Sequence, residues 1–339
     1  MDLTLSPVSP RENAYEGHGE LHWLDAMKFI CSLMVVMIHT QFFWRAEFMP
    51  LNRVGVPFFL MVSGFFLPGP GAVLTPEKTW RVFIHILKVT VGLQILYFFF
   101  KLFLFLCGAI SSCPAIGLSP KFILLTIFEG DLYAAQTWYL NSYLIALALI
   151  YIFLRYRCEK VIYWLVLPGL ALNMICGNYY WGAADIMPGF LIRNFLFTSL
   201  PFIAIGVWIR RHASLLPRWT ASLTAMLLCL PFLYIESYLV GYETGDLYLM
   251  STPVSVLFFM TALKAPDSAA PRWMASAGRN LSADIFYYHY LFVLLSKHVL
   301  NLGDWSFLAV SICSIALAAA VEELQKHIKL PKLNIRKNG

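Results

Sequence analysis

Long uninterrupted runs of apolar residues recur along almost the whole chain. Residues 29–44, 138–154 and 305–321 are three of these runs, and none shows the period-two alternation of a barrel strand. A helix of about 20 apolar residues can cross the hydrocarbon core of a bilayer. The pattern therefore predicts an all-α fold, a polytopic membrane helix bundle of about ten transmembrane helices. The predicted spans are residues 23–44, 54–68, 81–107, 137–154, 160–177, 191–210, 219–237, 248–263, 281–300 and 305–325.

The polar residues outside these runs are confined to short connections and two tails. We expect a cytoplasmic N-terminal tail over residues 1–22, a ten-span membrane domain over 23–325, and a basic cytoplasmic C-terminal tail over 326–339. The N-terminal tail does not resemble a cleavable signal peptide, so the first apolar run is expected to remain as a span. The second span contains Pro57 and Gly64 and is expected to be tilted or broken.

Composition supports a membrane protein and argues against a soluble enzyme. Of the 339 residues, 59% are hydrophobic and 13% are charged, whereas soluble domains carry about 25% charged residues. Seventeen of the Lys and Arg residues fall in one alternating set of connections and five in the other. Because cytoplasmic loops carry the excess of positive charge, both termini are predicted to be cytoplasmic. The net charge of +6 is thereby explained by the lipid bilayer, and no nucleic-acid partner is expected.

The seven cysteines do not form a recognisable site. They are scattered, without CxxC or Cys/His metal spacing, so no metal is expected. Cys107 and Cys113 flank one loop, and the spacing allows them either to pair or to remain free thiols.

The first predicted span carries the most informative polar residues. At 100° per residue, Asp25, Lys28, Ser32 and His39 share one helical stripe, with about 16 Å of rise between Lys28 and His39. One interpretation is an interfacial Asp25–Lys28 pair and a core histidine. Ionisable groups inside a membrane are costly, however, and a charged pair and a histidine on one face favour a lined cavity. His39 could act as a general base or proton relay, or could carry a transferred group.

Other polar residues occur at the ends of later spans. Arg81 begins a basic stripe on the third span, and it could attract an anionic ligand or extend to lipid headgroups. Trp138 and Tyr139 open the fourth span, where an aromatic belt is the simpler interpretation of Trp138. His289 lies in a ninth span with several tyrosines, which favours a position facing protein or a cavity.

These residues also form an ordered set of motifs. They are Asp25, Lys28 and His39; Val56–Phe65, which reads VPFFLMVSGF; Arg81; Trp138–Leu140; Leu200-Pro201-Phe202 followed by Gly206; and Ile285–His289. With these motifs the chain resembles the acyltransferase-3 family of membrane O-acyltransferases over about residues 22–325. Lys28 and Phe286 depart from the arginine and tyrosine usual in that family.

The resemblance implies a bacterial enzyme of the inner (cytoplasmic) membrane that moves an acyl group across the bilayer. The donor would be acyl-CoA, usually acetyl-CoA, with no permanently bound cofactor. The acceptor would be a hydroxyl of a surface glycan or lipid-linked saccharide, as in polysaccharide O-acetylation. The implied catalytic residues are His39 and Asp25, with Lys28 and Arg81 binding the donor phosphates. The implied substrate-binding residues are Ser63, Trp138, Tyr139 and His289.

A second interpretation belongs to a different functional class. Similar ten-span domains are attached to serine racemases of vancomycin resistance and are described as amino-acid transporters. A proton-coupled transporter could use Asp25, Lys28 and His39 as a relay. The two halves of the chain show no convincing inverted repeat, which favours the acyltransferase.

Overall fold

The computed structural model describes residues 21–114, 116–117, 119, 126–128, 130–176, 194–241 and 247–328, so most of both predicted tails lies outside the described residues. Within these ranges the fold is all-helical. The helices are α1 (His22–His39), α2 (Arg45–Asn52), α3 (Gly55–Phe66), α4 (Pro76–Leu106), α5 (Thr137–Arg155), α6 (Lys160–Trp164), α7 (Val166–Cys176), α8 (Leu200–Arg211), α9 (Trp219–Val240), α10 (Ser251–Lys264), α11 (Arg272–Asn280), α12 (Ser282–Leu295) and α13 (Ser306–Ile328).

Six helical segments of the described ranges are long and apolar enough to cross a membrane, so the predicted count of about ten is not confirmed. Two further apolar helices, 160–175 and 251–264, are shorter than the six. In the predicted spans 191–210 and 281–300, a π-helical turn precedes the α-helix at Phe195–Ser199 and follows it at Ser296–Leu300. The apolar runs therefore predicted where helices form, but they did not predict how long each continuous helix is. The six segments are His22–His39, Arg45–Phe66, Pro76–Leu106, Thr137–Arg155, Trp219–Val240 and Gly303–His327.

No break divides the second predicted span, residues 54–68, since α3 is continuous from Gly55 to Phe66. Pro57 sits in the first turn of α3, where helix N–H groups have no intrahelical partner. The helix break lies at the start of the span, at residues 53–54, between α2 and α3. Gly64 instead permits close packing, because an added Cβ would lie 2.1 Å from the carbonyl oxygen of Ile203 on α8. Gly206 has the reciprocal role, since its Cβ would lie 2.3 Å from the carbonyl oxygen of Met61. The two glycines thus let α3 and α8 cross with their backbones in contact.

Several helices present large apolar side chains on an outer face. On α4, Val91, Ile95, Phe99 and Phe103 follow one another at helical spacing of four and are each about half exposed or more. Soluble monomers rarely leave apolar surface of that extent uncovered. Helix α9 shows the same feature at Leu228, Phe232, Ile235 and Leu239. These faces are those expected of a protein embedded in lipid.

Candidate functional site

The C-terminal end of α1 places His39 against α12. The His39 and His289 rings lie 5.4 Å apart between centroids and are inclined by 32°. Tyr290, the next residue on α12, meets His39 edge-to-face at 5.4 Å. The two predicted histidines, 250 residues apart in sequence, therefore belong to one aromatic cluster.

His289 is fully buried and its tautomer follows from its contacts. Its Nδ1 lies 3.1 Å from the carbonyl oxygen of Ile285 and 2.9 Å from that of Phe286. Carbonyl oxygens only accept hydrogen bonds, so Nδ1 carries the proton and donates to them. Nε2 is then an acceptor, and no group among the described residues donates to it. A buried acceptor without a donor costs free energy, which a ligand hydroxyl or a water at this position would relieve.

Ser63 and Tyr139 lie near this pair through shared neighbours. The Ser63 hydroxyl donates to the carbonyl oxygen of Phe59 at 2.9 Å, and the Tyr139 and Tyr143 side chains lie near it. The Tyr139 ring packs edge-to-face on Phe286 at 5.1 Å. Phe286 in turn lies 6.1 Å from His289 between ring centroids. Helices α3 and α5 thus contribute polar groups that are connected to His289 through the Phe286 ring.

Trp138 has a different environment from Tyr139. Its half-buried side chain packs against the main hydrophobic core. That contact fits a packing role, and substrate binding by Trp138 stays a prediction.

The N-terminal end of α1 holds a buried carboxylate between two cations. Asp25 is fully buried, and its Oδ1 lies 2.7 Å from Lys28 Nζ. Its Oδ2 accepts from Arg279 Nε of α11 at 3.1 Å. Asp25 lies fourteen residues from His39, which corresponds to about 21 Å of helix rise. These contacts are those of a counterion that positions Lys28 and Arg279, and a catalytic part for Asp25 stays a prediction.

The close approach of α11 to α1 explains how Arg279 reaches Asp25. A Cβ on Gly278 would lie 1.7 Å from the carbonyl oxygen of Asp25, so only glycine fits at this crossing. At the other end of α11, Arg272 Nη1 donates to His22 Nε2 at 2.6 Å. Arg272 and Arg279 are seven residues apart, two helical turns, and lie on the same face. In the sequence, this seven-residue spacing could have indicated that both arginines belong to the site and do not only add to the charge of a loop.

Arg81 belongs to another group of charges. It is exposed at the start of α4 and interacts electrostatically with Lys78, as does Arg210 at the end of α8. Lys78 Nζ donates to the carbonyl oxygen of Pro68 at 2.9 Å, and Arg210 lies over the Phe65 ring at 5.2 Å. The structure therefore places the two predicted donor-binding residues, Lys28 and Arg81, in two basic groups on different helices.

An open cavity of about 740 Å³ lies beside the end of α1. Tyr290 lines it, and the same ring contacts His39. We call it the Tyr290 cavity. Cys113 also lines it, and both Cys113 and Cys107 are free, exposed thiols, so the possible disulfide is not formed. The other lining residues are Lys101, Leu104, Gly108, Ala109, Ile110, Ser111, Ser112, Pro114, Leu132, Tyr133, Leu294 and His298.

Comparison with known proteins identifies relatives. The chain is 26% identical over 352 aligned residues to an "Amino-acid racemase" of Enterococcus faecalis, an alignment that covers 92% of this chain and 47% of that protein. It is 28% identical over 268 aligned residues to a "Serine/alanine racemase" of Enterococcus gallinarum, with 71% of this chain and 36% of that protein covered. The chain thus spans less than half the length of these curated relatives. No solved structure matches it significantly.

The family match covers nearly the whole chain. The Acyl_transf_3 family model, described as an acyltransferase domain, matches residues 21–323. That range includes α1 with Asp25, Lys28 and His39, and it extends into α13. With its long apolar helices and lipid-type faces, this chain is a membrane protein of the Acyl_transf_3 acyltransferase family.

Proposed function

We propose that this protein is a membrane O-acyltransferase that moves an acetyl group from acetyl-CoA to a hydroxyl of a cell-surface glycan or related acceptor, with His39 as the catalytic histidine. The observation that carries the proposal is the arrangement along α1. A basic group lies at its start, and a histidine pair lies at its end beside the Tyr290 cavity. A pantetheine arm entering at Lys28 would bring its thioester to His39 while the nucleotide stays outside the bundle.

The proposal includes an orientation. Both termini would be cytoplasmic and the membrane would be the bacterial inner membrane, because the excess of Lys and Arg falls on the side at which α1 begins. Acetyl-CoA would then approach Lys28 and Arg279 from the cytoplasm. The Tyr290 cavity would open to the other side, where a surface acceptor is made or displayed.

The proposed reaction needs one base and no further reactant. His39 takes the proton of the acceptor hydroxyl as the hydroxyl oxygen attacks the thioester carbonyl carbon. A carbon–oxygen bond forms and the carbon–sulfur bond breaks. The leaving thiolate of coenzyme A then takes the proton from His39, which restores the neutral imidazole. The products are the acetyl ester and free coenzyme A.

Positively charged side chains near the start of α1 supply the proposed donor site. Lys28 and Arg279 are held by Asp25, and the guanidinium of Arg279 can bind a phosphate through two parallel hydrogen bonds, which Lys28 cannot do. Arg279 thereby offers the two-bond phosphate geometry that Lys28 lacks. Lys28 stands at a position where the resemblance gives arginine as the usual residue of the family. Arg81 would contribute from the second basic group.

Substitutions of His289 test whether its unpaired Nε2 atom takes part in the reaction. In His289→Gln the side-chain oxygen can occupy the position of Nε2, whereas in His289→Asn the amide can replace only Nδ1. We expect Gln to retain more transfer from radiolabelled acetyl-CoA than Asn, by about tenfold, because only Gln preserves a hydrogen-bond acceptor for a second hydroxyl of the glycan or a water, while His39 takes the reacting proton. The assay uses purified protein in detergent with a glycan acceptor. Equal activity of the two variants, measured at equal folded fraction, would exclude a role for His289 in the reaction.

A proton-coupled amino-acid transporter without acyl transfer is the second candidate. The two enterococcal relatives are named as racemases of amino acids, which supports an amino acid as the molecule that this candidate would carry. The intramembrane Asp25–Lys28 pair would then serve proton movement. Proteoliposomes decide between the two. Uptake of radiolabelled serine driven by a pH gradient, with no release of coenzyme A from acetyl-CoA, supports the transporter and contradicts the acyltransferase.

A further inference from the structure

We propose that the Tyr290 cavity binds an acceptor that carries a phosphate or carboxylate group, held by Lys101 and His298, while its hydroxyl lies at Tyr290, the lining residue whose ring contacts His39. The term acceptor rests on the proposed acyl transfer. The presence of an anion-binding site does not, and it is tested separately below.

The cavity extends from a basic region to Tyr290, the aromatic neighbour of His39. Lys101 reaches it from the last turns of α4, and His298 reaches it from the π-helical turn that follows α12. Tyr290 lines the same cavity and contacts His39 at 5.4 Å. A ligand that filled the space would touch both the basic side chains and the tyrosine beside the proposed catalytic base.

The charges around the cavity favour an anion. Both Lys101 and the neighbouring Lys297 interact electrostatically with His298, and Asp131 interacts with Lys101. Among the described residues of this group, two lysines and one carboxylate leave a positive excess. Lys101 is also only partly exposed. A partly buried ammonium group is stabilised by an anion at hydrogen-bonding distance, so an anionic ligand gains more here than a neutral one.

The remaining lining suits a hydroxylated molecule. Ser111 and Ser112 offer hydroxyl groups, and Tyr133 and Leu132 offer flat or apolar surface of the kind that packs against a sugar ring. The volume of about 740 Å³ lies within the range of small-molecule sites. A saccharide with one acidic group satisfies both parts of the cavity, its ring against these residues and its anion toward Lys101.

Cys113 provides a readout that does not depend on catalysis. It is a free, exposed thiol that lines the cavity, whereas Cys158 is an exposed thiol that does not. Purified full-length protein in detergent is treated with a maleimide in the presence of glucose, glucuronic acid or glucose 6-phosphate. Peptide mass spectrometry then measures labelling of Cys113, with Cys158 as the internal reference. We expect both acidic sugars to protect Cys113 at concentrations about tenfold below that of glucose.

Variants on α4 connect the protection to the charge of Lys101. Lys101→Gln should remove the tenfold preference, Lys101→Arg should keep it, and Lys88→Gln, an exposed lysine of the same helix outside the cavity, should leave it unchanged. Cys31 is fully buried, so its continued resistance to labelling shows that each variant is folded.

The outcomes separate this inference from acyl transfer. Equal protection by the three sugars, no protection by the acidic ones, or a preference that survives Lys101→Gln overturns the inference. Protection without acetyl transfer to any acceptor overturns the acyltransferase and leaves the anion site standing. Protection by glucuronic acid alone, or by glucose 6-phosphate alone, supports the inference and identifies which acidic group the site takes.

Discussion

Replacing His39 by alanine should lower acetyl transfer by a factor of about 10²–10⁴, the usual contribution of a positioned general base. The imidazole of His39 is the group that removes the hydroxyl proton in the proposed step, and the unpaired Nε2 of the neighbouring His289 is tested separately by the His289 variants. Radiolabelled acetyl-CoA and a glycan acceptor, with purified protein in detergent, give the rate directly.

Two comparisons make the His39→Ala result specific. His327→Ala removes an exposed histidine at the end of α13, 76% exposed and far along the sequence from the cluster, and should leave the rate unchanged. Binding of acetyl-CoA to His39→Ala should also persist, because the proposed phosphate contacts lie at the other end of α1. A His39→Ala protein that transfers acetyl within about twofold of the parent rate would exclude His39 as the base.

Asp25→Asn should destabilise the bundle more than any other single charge removal described here. The carboxylate is fully buried and compensates Lys28 and Arg279, and the amide would leave two cations facing each other. Breaking a fully buried ion pair costs about 3–5 kcal/mol. The two partners are 16% and 30% exposed, so screening by water reduces the expected loss to about 2–3 kcal/mol. The measurement is the apparent Tm in detergent.

A matched pair elsewhere in the chain provides the control. Glu323 and Lys326 have the same i,i+3 spacing as Asp25 and Lys28, but their side chains are 60% and 51% exposed. Glu323→Gln should therefore leave the apparent Tm unchanged. A similar Tm for Asp25→Asn and Glu323→Gln would mean that water reaches Asp25 and that Asp25 does not stabilise the packing of α11 against α1.

The two predictions concern opposite ends of one helix, and they separate chemistry from donor positioning. His39→Ala is expected to remove rate with little effect on the fold, and Asp25→Asn to loosen the α1–α11 contact. Under the proposed mechanism the loosened contact also raises the KM for acetyl-CoA, because Arg279 loses the carboxylate that orients it.

The sequence by itself determined the class of the molecule and the composition of the central stripe. Apolar runs predict helices because a bilayer leaves backbone groups no other partner, and a helix or helical turn is found in each predicted run. The stripe with Asp25, Lys28 and His39 follows from the fixed 100° rotation per residue. The Asp25–Lys28 pair is local, three residues apart, and the structure shows it at 2.7 Å.

Only the tertiary structure decided which distant residues complete the site. Arg279 reaches Asp25 because Gly278 lets α11 touch α1, and His289 meets His39 because α12 packs along the same helix. Such contacts depend on how helix surfaces interlock, which local periodicity does not specify. Helix continuity was also decided at this level, since the apolar pattern did not predict the break at residues 53–54 or the π-helical turns next to α8 and α12. The sequence therefore located the two ends of α1, and packing supplied their partners.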